Sequence, residues 1–358
     1  MTALDGKVIL LTGATDGMGR ALAAVLGQEG ATVLVHGRDK ARIAATVAEV
    51  AAAAGSQGLV RSYQADLASL AAVRGLADQV TEAEPRLDVL VNNAGIGINE
   101  PGGGARQESA DGLELRFAVN YLAGYALSRY LLPLLTRSAP ARIVNVASVG
   151  QQAIDFDDVM LTRGYDGMRA YRQSKLAQIM NTFDLAAELE AAGVTVNALH
   201  PATFMPTKVS PAPPVSTIAQ GVEATMRLIA APPEQTGTGR YFNGLAESRA
   251  NDLTALGVMY ALRRYGVDVP GQVAVTGFDD VPMARHVQPL LTTVRQPIGE
   301  LGETAFEVLY SMIGREAPAE RDIALPTRLM CRESCGCQAD GGRLAGVTDL
   351  SSVRQFRS

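Results

Sequence analysis

The sequence predicts an α/β fold: a doubly wound parallel sheet, followed by a second and partial α/β unit. Three observations carry this. Short apolar runs of strand length alternate with helix-length segments from residue 7 to about residue 243. The first of those runs passes straight into a glycine-rich turn. Beyond Ala250 the chain changes character and begins a new succession of helix and strand signals.

Lys7 to Thr12 reads as a buried parallel strand. It leads into Thr12-Gly13-Ala14-Thr15-Asp16-Gly17-Met18-Gly19, and Arg20 to Gly30 continues as a helix. Gly13 permits a tight turn, Gly17 lets backbone approach a pyrophosphate, and Gly19 lets helix and strand pack closely. The helix N-terminus then faces the phosphates. Ala31 to His36 is the second strand and ends in Gly37-Arg38-Asp39. Gly37 stands where an acid would otherwise bind ribose hydroxyls, and the Arg38 guanidinium suits a 2′-phosphate. NADP(H) is therefore expected over NAD(H). A solvated loop arginine is the other reading of Arg38.

Asp39 to Ala54 reads as a helix, Leu59 to Ala65 as a strand followed by Asp66-Leu67, and Ser69 to Glu84 as a helix. Leu87 to Val91 is a strand that delivers Asn92-Asn93-Ala94-Gly95. Strands alternating with helices of this length mean crossover units and a parallel sheet. Gly97 to Gly104 is a glycine-rich loop at the sheet's carboxyl edge, where such folds bind ligands. Gly112 to Leu135 reads as one long helix carrying Asn120. Arg142 to Ala147 is a strand ending at Ser148, and Ala170 to Ala192 is a helix. Val194 to Leu199 leads to His200-Pro201. Val215 to Ala230 is helical, and Gly239 to Asn243 is a last short strand.

The helix over 170–192 places Tyr171 and Lys175 one turn apart on one face. A free phenol ionises near pH 10 (roughly). An ammonium beside it favours the phenolate, so the pair can act as a general acid/base near neutrality. Taken alone, the spacing is better read as an amphipathic helix with an incidental Tyr and Lys.

Composition sets outer bounds. The chain has 358 residues and a net charge of −5, so bulk charge does not suggest nucleic-acid binding. Its three cysteines, Cys331, Cys335 and Cys337, all lie near the C-terminus. None can staple the first 250 residues, which points to a reducing, cytoplasmic setting. The Cys-x3-Cys-x-Cys spacing lacks a nearby His, and no metal is expected. The most membrane-like stretch, Phe117 to Leu135, contains Asn120, Ser128 and Arg129 and reads as a buried or interface helix. No membrane span is expected.

Taken together, Thr12-Gly13-x3-Gly17-x-Gly19, Asn92-Asn93-Ala94-Gly95, Asn120, Ser148 and Tyr171-x2-Ser174-Lys175 resemble a short-chain dehydrogenase/reductase over residues 1 to about 248. The long interval between Ser148 and Tyr171, with Ala170 to Ala177, is similar to retinol-dehydrogenase-like and protochlorophyllide-reductase-like members. The resemblance implies a Rossmann-type sheet and a lipophilic alcohol or carbonyl substrate. It implies that Tyr171 exchanges a proton with the substrate oxygen and that Ser148 hydrogen-bonds that oxygen. Lys175 would lower the Tyr171 pKa and hold the nicotinamide ribose, and Asn120 would hold a water linked to Lys175. Thr12 would brace Asn93. Asp66 and Leu67 would line the adenine pocket, and Thr15, Asp16, Met18, Ala94, Gly95 and Pro201 would border the cofactor. Ala202 departs from the family's usual glycine after that proline. Members of this kind pair through their two long helices, which implies a homo-oligomer.

A second resemblance begins at the seam. Asn251-Asp252-Leu253-Thr254-Ala255-Leu256-Gly257 leads a helix to Tyr265, and a strand Gln272 to Thr276 precedes Gly277-Phe278-Asp279-Asp280. Leu291 to Pro297, a helix around Leu301 to Ile313, and Arg332-Glu333-Ser334-Cys335-Gly336 follow. This order is similar to the C-terminal part of the effector-binding region of lactose-repressor-family regulators, a periplasmic-binding-protein-like fold. The expected division is 1–250, 251–337 and a disordered tail at 338–358. The resemblance marks Asn251 and Asp279 as effector contacts. No helix-turn-helix and only part of one subdomain are present, so the two residues are better read as helix and turn caps. The fragment is expected to bind neither operator DNA nor a sugar. It carries apolar strands, Val273-Ala274-Val275 and Ile323-Ala324-Leu325, expected to have unpaired edges. A ligand-sensing regulator built on it is the alternative to an enzyme.

Overall fold

A computed structural model describes residues 4–54, 59–98, 104–152, 154–210, 212–248, 252–264, 266–278, 280, 282–285, 287–295, 297, 300, 325–336 and 348–349. The chain divides into two compact units, Met1–Arg249 and Ala250–Ser358.

The first unit alternates strands and helices in chain order. These are β1 (Val8–Leu11), α1 (Gly17–Gln28), β2 (Thr32–Gly37), α2 (Lys40–Ala54), β3 (Val60–Gln64), α3 (Leu70–Ala83) and β4 (Val89–Asn92). Then come α4 (Leu115–Phe117), a π-helical turn (Ala118–Leu122), α5 (Ala123–Arg137), β5 (Ala141–Val146), α6 (Gly167–Leu189) and β6 (Val194–His200). Last are α7 (Ile218–Ala230), α8 (Pro233–Thr236), β7 (Arg240–Asn243) and β8 (Ala246–Ser248).

The strands lie in the order β3-β2-β1-β4-β5-β6-β7-β8. All pairs are parallel except β7 with β8. Successive strand residues face opposite sides, which builds two cores. Leu10 and Leu34 pack with α3, α5 and α6 residues such as Leu76, Leu127 and Leu185. Ile9, Leu11, Val33 and Val35 pack with α1, α2 and α7 residues such as Leu22, Val50 and Leu228. The chain reverses direction across the sheet between β1 and β4. Doubly wound sheets bind ligands at the carboxyl ends of the strands beside that switch.

Several local readings change; the helices read from Ala170 and Val215, for instance, begin at Gly167 and Ile218. The helix read over Gly112 to Leu135 is broken into α4, the π turn and α5. The helix read from Arg20 begins at Gly17, because the Asp16 side chain caps it by accepting from the Gly17 amide. Gly239 to Asn243 is not the last strand, since β8 turns back antiparallel on β7.

The second unit contains α9 (Asp252–Arg264), β9 (Thr276–Phe278), β10 (Thr292–Arg295), β11 (Arg328–Met330) and β12 (Thr348–Asp349). Its sheet runs β12-β11-β10-β9, with β9 and β10 parallel. A small core joins Ala255, Leu256, Met259, Val269, Val275, Ala284 and Leu291. The Asp280 carboxylate is buried among Arg285, Arg295 and Arg332, at 2.9 Å and 2.6 Å for the first two.

Here the strand read at Gln272 to Thr276 is displaced. Register with Thr292 to Val294 places β9 at Thr276–Phe278. Val275 is tied instead to Ser334, through its amide at 2.9 Å and its carbonyl at 2.6 Å. Among the described residues β9 is the outermost strand of the sheet and pairs with β10 on one side. Leu325 lies outside any strand, and Thr348–Asp349, read as part of a disordered tail, pair with β11. Asn251, Asp279, Cys337, the helix around 301–313, residues 99–103 of the glycine-rich loop and the rest of the tail lie outside the described residues.

Candidate active site

The glycine turn between β1 and α1 is a tight cradle. Gly13 and Gly17 have φ of +65° and +49°, a region that disfavours side chains. A Cβ on Gly19 would lie 2.2 Å from the Gly13 carbonyl oxygen. Thr12 at the strand end holds the neighbouring segment: its Oγ1 accepts from the Asn93 and Ala94 amides at 2.9 and 3.0 Å. Asn93 Nδ2 returns a bond to Thr12 O at 2.8 Å. The structure thus brings Thr12, Gly13, Thr15, Asp16, Gly17, Met18, Gly19, Asn93, Ala94 and Gly95 to one edge.

His36, outside the sequence-derived site, supports this turn. Its carbonyl accepts from Ala14 N at 2.9 Å, and its Nδ1 accepts from Gly13 N at 3.3 Å. The ring proton is thereby assigned to Nε2, which donates to Ala65 O at 3.2 Å. Burial pushes the ring pKa down to about 4. Only the nearby Arg38 signals such a position in sequence.

Arg38 is exposed and has no ion pair among the described residues. Arg42 differs, pairing with Asp16 at 3.1 Å, and Lys208 reaches the same carboxylate at 3.2 Å. Asp66 is exposed and caps its own turn through Ala68 N, while Leu67 is buried in the core.

On the other side of the switch, Asn120 sits in the π turn, a feature often found at functional sites. Its Oδ1 accepts from Ile96 N at 2.8 Å, and its Nδ2 donates to Ile96 O at 3.2 Å and Ser174 Oγ at 3.1 Å. Ser148 stands beyond the end of β5, its Oγ accepting from Gly150 N at 3.0 Å. A Cβ on Gly150 would touch both Ser148 Oγ and the Tyr171 ring, at 3.4 and 3.8 Å. One on Gly95 would touch Asn120 and Lys175, at 3.4 and 3.6 Å. Asn120, Ser148, Tyr171 and Lys175 therefore converge.

Lys175 Nζ is 5.9 Å from the Tyr171 ring centre. It donates to Val146 O at 2.8 Å and to Gln178 Oε1 at 3.2 Å. Burial pushes the Lys175 pKa down to about 8. The sequence reading has Lys175 lowering the Tyr171 pKa. In the structure burial dominates and raises it, against the opposing bond to Ser148. Gln178, three residues beyond Lys175 on the same helix, lies outside the sequence-derived site, and its one-turn spacing from Lys175 is the signal that points to it. His200, at the end of β6, bonds Thr203 Oγ1 at 3.0 Å. Burial and the Lys175 charge push its pKa down to about 4. Pro201 is buried directly after it.

A glycine cradle at the switch of a parallel sheet, beside a buried Ser, Lys and Asn and a half-buried Tyr, defines an α/β oxidoreductase of the nicotinamide-dinucleotide class. The cradle admits backbone contact with phosphates, and the exposed Arg38 stands two residues beyond His36, so the residues present fit such a cofactor.

The comparisons make the class specific. The short chain dehydrogenase family model matches residues 7–212, and the chain belongs to that family. Residues 248–335 match a periplasmic binding protein-like domain. Retinol dehydrogenase 14 of Homo sapiens is 36% identical over 273 residues, covering 68% of this chain and 80% of the relative. Retinol dehydrogenase 13 of Homo sapiens is 38% identical over 201 residues, 55% of this chain and 59% of the relative. Among solved structures, a short chain dehydrogenase from Burkholderia cenocepacia in complex with NADP superposes with a TM-score of 0.55. It is 29% identical and covers 68% of this chain and 97% of its own. A metagenomic short-chain oxidoreductase in complex with NADP gives 0.51 at 27% identity, over 64% and 94% of the two chains.

Proposed function

We propose that the chain is an NADP(H)-dependent oxidoreductase acting on an alcohol/carbonyl pair of a lipophilic molecule. The observation that carries this reading is the convergence of Ser148, Tyr171, Lys175 and Asn120 beside the glycine cradle. When bound, the cofactor supplies or takes up the hydride. Tyr171 exchanges the proton with the substrate oxygen. The Ser148 hydroxyl donates to that oxygen and stabilises the charge that develops on it. Burial alone disfavours the phenolate, so the Lys175 ammonium and Ser148 must offset it. Asn120 fixes the segment around Ile96 and the Ser174 hydroxyl behind Lys175.

Exposed apolar groups beside the site support a lipophilic substrate. Val149 directly follows Ser148, and Phe204 is joined to Val215 by a 3.1 Å backbone bond. The likeness to retinol dehydrogenases supports it too. A panel of aldehydes from hexanal to all-trans-retinal, followed by NADPH absorbance, tests the reading. No oxidation of NADPH with any of them would sink it.

Arg38 supports the cofactor preference, since its guanidinium is uncommitted among the described residues. NADPH is expected to bind at least about tenfold more tightly than NADH, and Arg38→Ala to remove most of that margin. Titration of both cofactors against both proteins decides it, and equal wild-type affinities would contradict it.

We also read a homo-oligomer paired through α5 and α6. Phe117, Tyr121 and Tyr125 form an aromatic ladder, with centres 5.1 and 6.1 Å apart, that reaches the exposed Tyr125. Light scattering at micromolar concentration tests this, and a monomer mass counts against it. The described residues contain no helix long and apolar enough to cross a membrane. A cytoplasmic location rests on the cysteine distribution alone. Binding of nucleic acid is not part of this reading.

A further inference from the structure

The catalytic groups do not account for a charged cluster buried beside them. Arg116 and Glu114 both have a relative exposure of 0%. A buried guanidinium needs its donors satisfied. Arg116 Nε donates to Gly97 O at 3.0 Å, and one Nη donates to Ile98 O at 2.9 Å. The other Nη donates to the Tyr165 hydroxyl at 2.7 Å. That hydroxyl donates to Glu114 Oε1 at 2.8 Å, and Glu114 Oε2 accepts from Phe117 N at 2.7 Å. Direct contact between Arg116 and Glu114 is looser, 3.8 Å. Burial and the Glu114 carboxylate hold the Tyr165 phenol above its ordinary pKa, which keeps it a donor.

The segments joined give the cluster its meaning. Gly97 and Ile98 follow Asn93-Ala94-Gly95 at the carboxyl edge of the sheet. Tyr165 directly precedes Asp166, whose side chain caps the start of α6 by accepting from the Met168 and Arg169 amides. A Cβ on Gly167, the first residue of that helix, would lie 3.7 Å from Arg116 Cζ. Arg116 and Asn120 lie four residues apart. Asn120 takes both backbone groups of Ile96, and Arg116 takes the next two carbonyls. Together they hold residues 96–98 much as a neighbouring strand would. Gly97 also abuts the chain beyond β6, where a Cβ would meet Val209 O at 2.6 Å. The adjacent Lys208 is the residue that reaches Asp16 in the glycine turn.

We propose that Arg116 is a positioning residue that fixes the ligand-side wall at 96–98 relative to the start of α6, and so sets the size of carbonyl the site accepts. The proposal rests on the assignment of Tyr171, carried by α6, as the proton-exchanging group. Arginine suits the task because its rigid fork fixes three bond directions at once, which a lysine cannot do. A wall displaced by about 1 Å can cost about 10²-fold where substrate rests on it. A short substrate touches less of the wall and feels the displacement less.

Tyr165→Phe removes one bond from the fork and leaves every charge in place. Arg116→Lys keeps the charge and loses the fork. Both are compared with wild type in NADPH affinity, in kcat and KM for hexanal and all-trans-retinal, and in amide exchange over 94–98 and 167–171. NADPH affinity is expected to change by less than about twofold, and kcat/KM for hexanal by less than about threefold. For retinal, kcat/KM is expected to fall by at least about tenfold, mainly through KM, with faster exchange at 94–98. Arg116→Lys is expected to go further in the same direction. Equal losses for the two aldehydes, or unchanged exchange at 94–98, would overturn the proposal. If the wild type reduces neither aldehyde, the functional reading fails, and the exchange data alone still decide whether Arg116 holds the wall.

Discussion

Replacing Tyr171 by phenylalanine is expected to leave NADP(H) affinity near the wild-type value and to lower turnover by about 10²- to 10⁴-fold, the usual contribution of a general acid/base. The ring packs as before, so binding surfaces are conserved. What disappears is the phenol hydroxyl that bonds Ser148 at the site and can exchange a proton. The residual rate reports what Ser148 and the bound geometry supply without it. The pH profile sharpens the test. Burial raises the Tyr171 pKa and pushes that of Lys175 down to about 8. Lys175 therefore loses its charge as pH rises through about 8, and with it the support for a phenolate. In the wild type, carbonyl reduction is expected to fall above that pH, and the residual activity of Tyr171→Phe to lose the dependence. Turnover within about threefold of wild type would remove Tyr171 from the proton-exchanging role.

Acid is expected to unfold the protein earlier than its carboxylates alone would dictate, and His36 is a main cause. In the folded chain the His36 and His200 rings both titrate at about 4, against an ordinary value of 6.5. Both are buried neutral, so below about pH 6.5 the unfolded chain takes up protons that the folded chain refuses. Their contribution is complete above pH 6.5 and is lost as pH falls from there to about 4. Each ring accounts for about 3 kcal/mol over that window. Protonation at Nδ1 also removes the acceptor for the Gly13 amide. His36→Gln keeps a side-chain acceptor and donor without titrating. Urea unfolding at pH 7.0, 5.5 and 4.5 is expected to show a shallower loss in this variant, by about 1.4 kcal/mol per pH unit. An identical pH dependence in the two proteins would refute the assignment.

The glycine turn, the strand ends and the Tyr171–Lys175 pair are legible because each is local: a few residues at fixed spacing decide them. His36, Gln178, Arg116 and Tyr165 act through contacts that local pattern does not encode. Arg116 and Tyr165 are 49 residues apart in sequence and meet only because α4 lies against the start of α6. Apolar content misplaced β9: Val273 to Val275 look like a strand, but pairing with Thr292 to Val294 selects the next three residues. A three-residue strand such as β8 leaves too short a pattern to read. The second unit is legible as a resemblance in residue order, while its charged centre at Asp280 draws arginines from positions 285, 295 and 332.

The π turn at Ala118–Leu122 carries one residue more than the helix on either side of it requires. An α-helix advances about 100° per residue, and the wider turn absorbs one residue beyond what a straight helix would need. Upstream of it, Arg116 faces the 96–98 backbone. Downstream, Leu127, Leu131 and Leu134 face the core. Because the turn takes up that extra residue within about one revolution, Arg116 and the leucines keep the faces they would have on a straight helix. Deleting one residue inside the turn would therefore restore a continuous α-helix and leave both flanking contacts in register. What would change is the turn itself, and with it Asn120, whose side chain holds both backbone groups of Ile96 and the Ser174 hydroxyl. The extra residue serves the placement of Asn120, not the packing on either side of it.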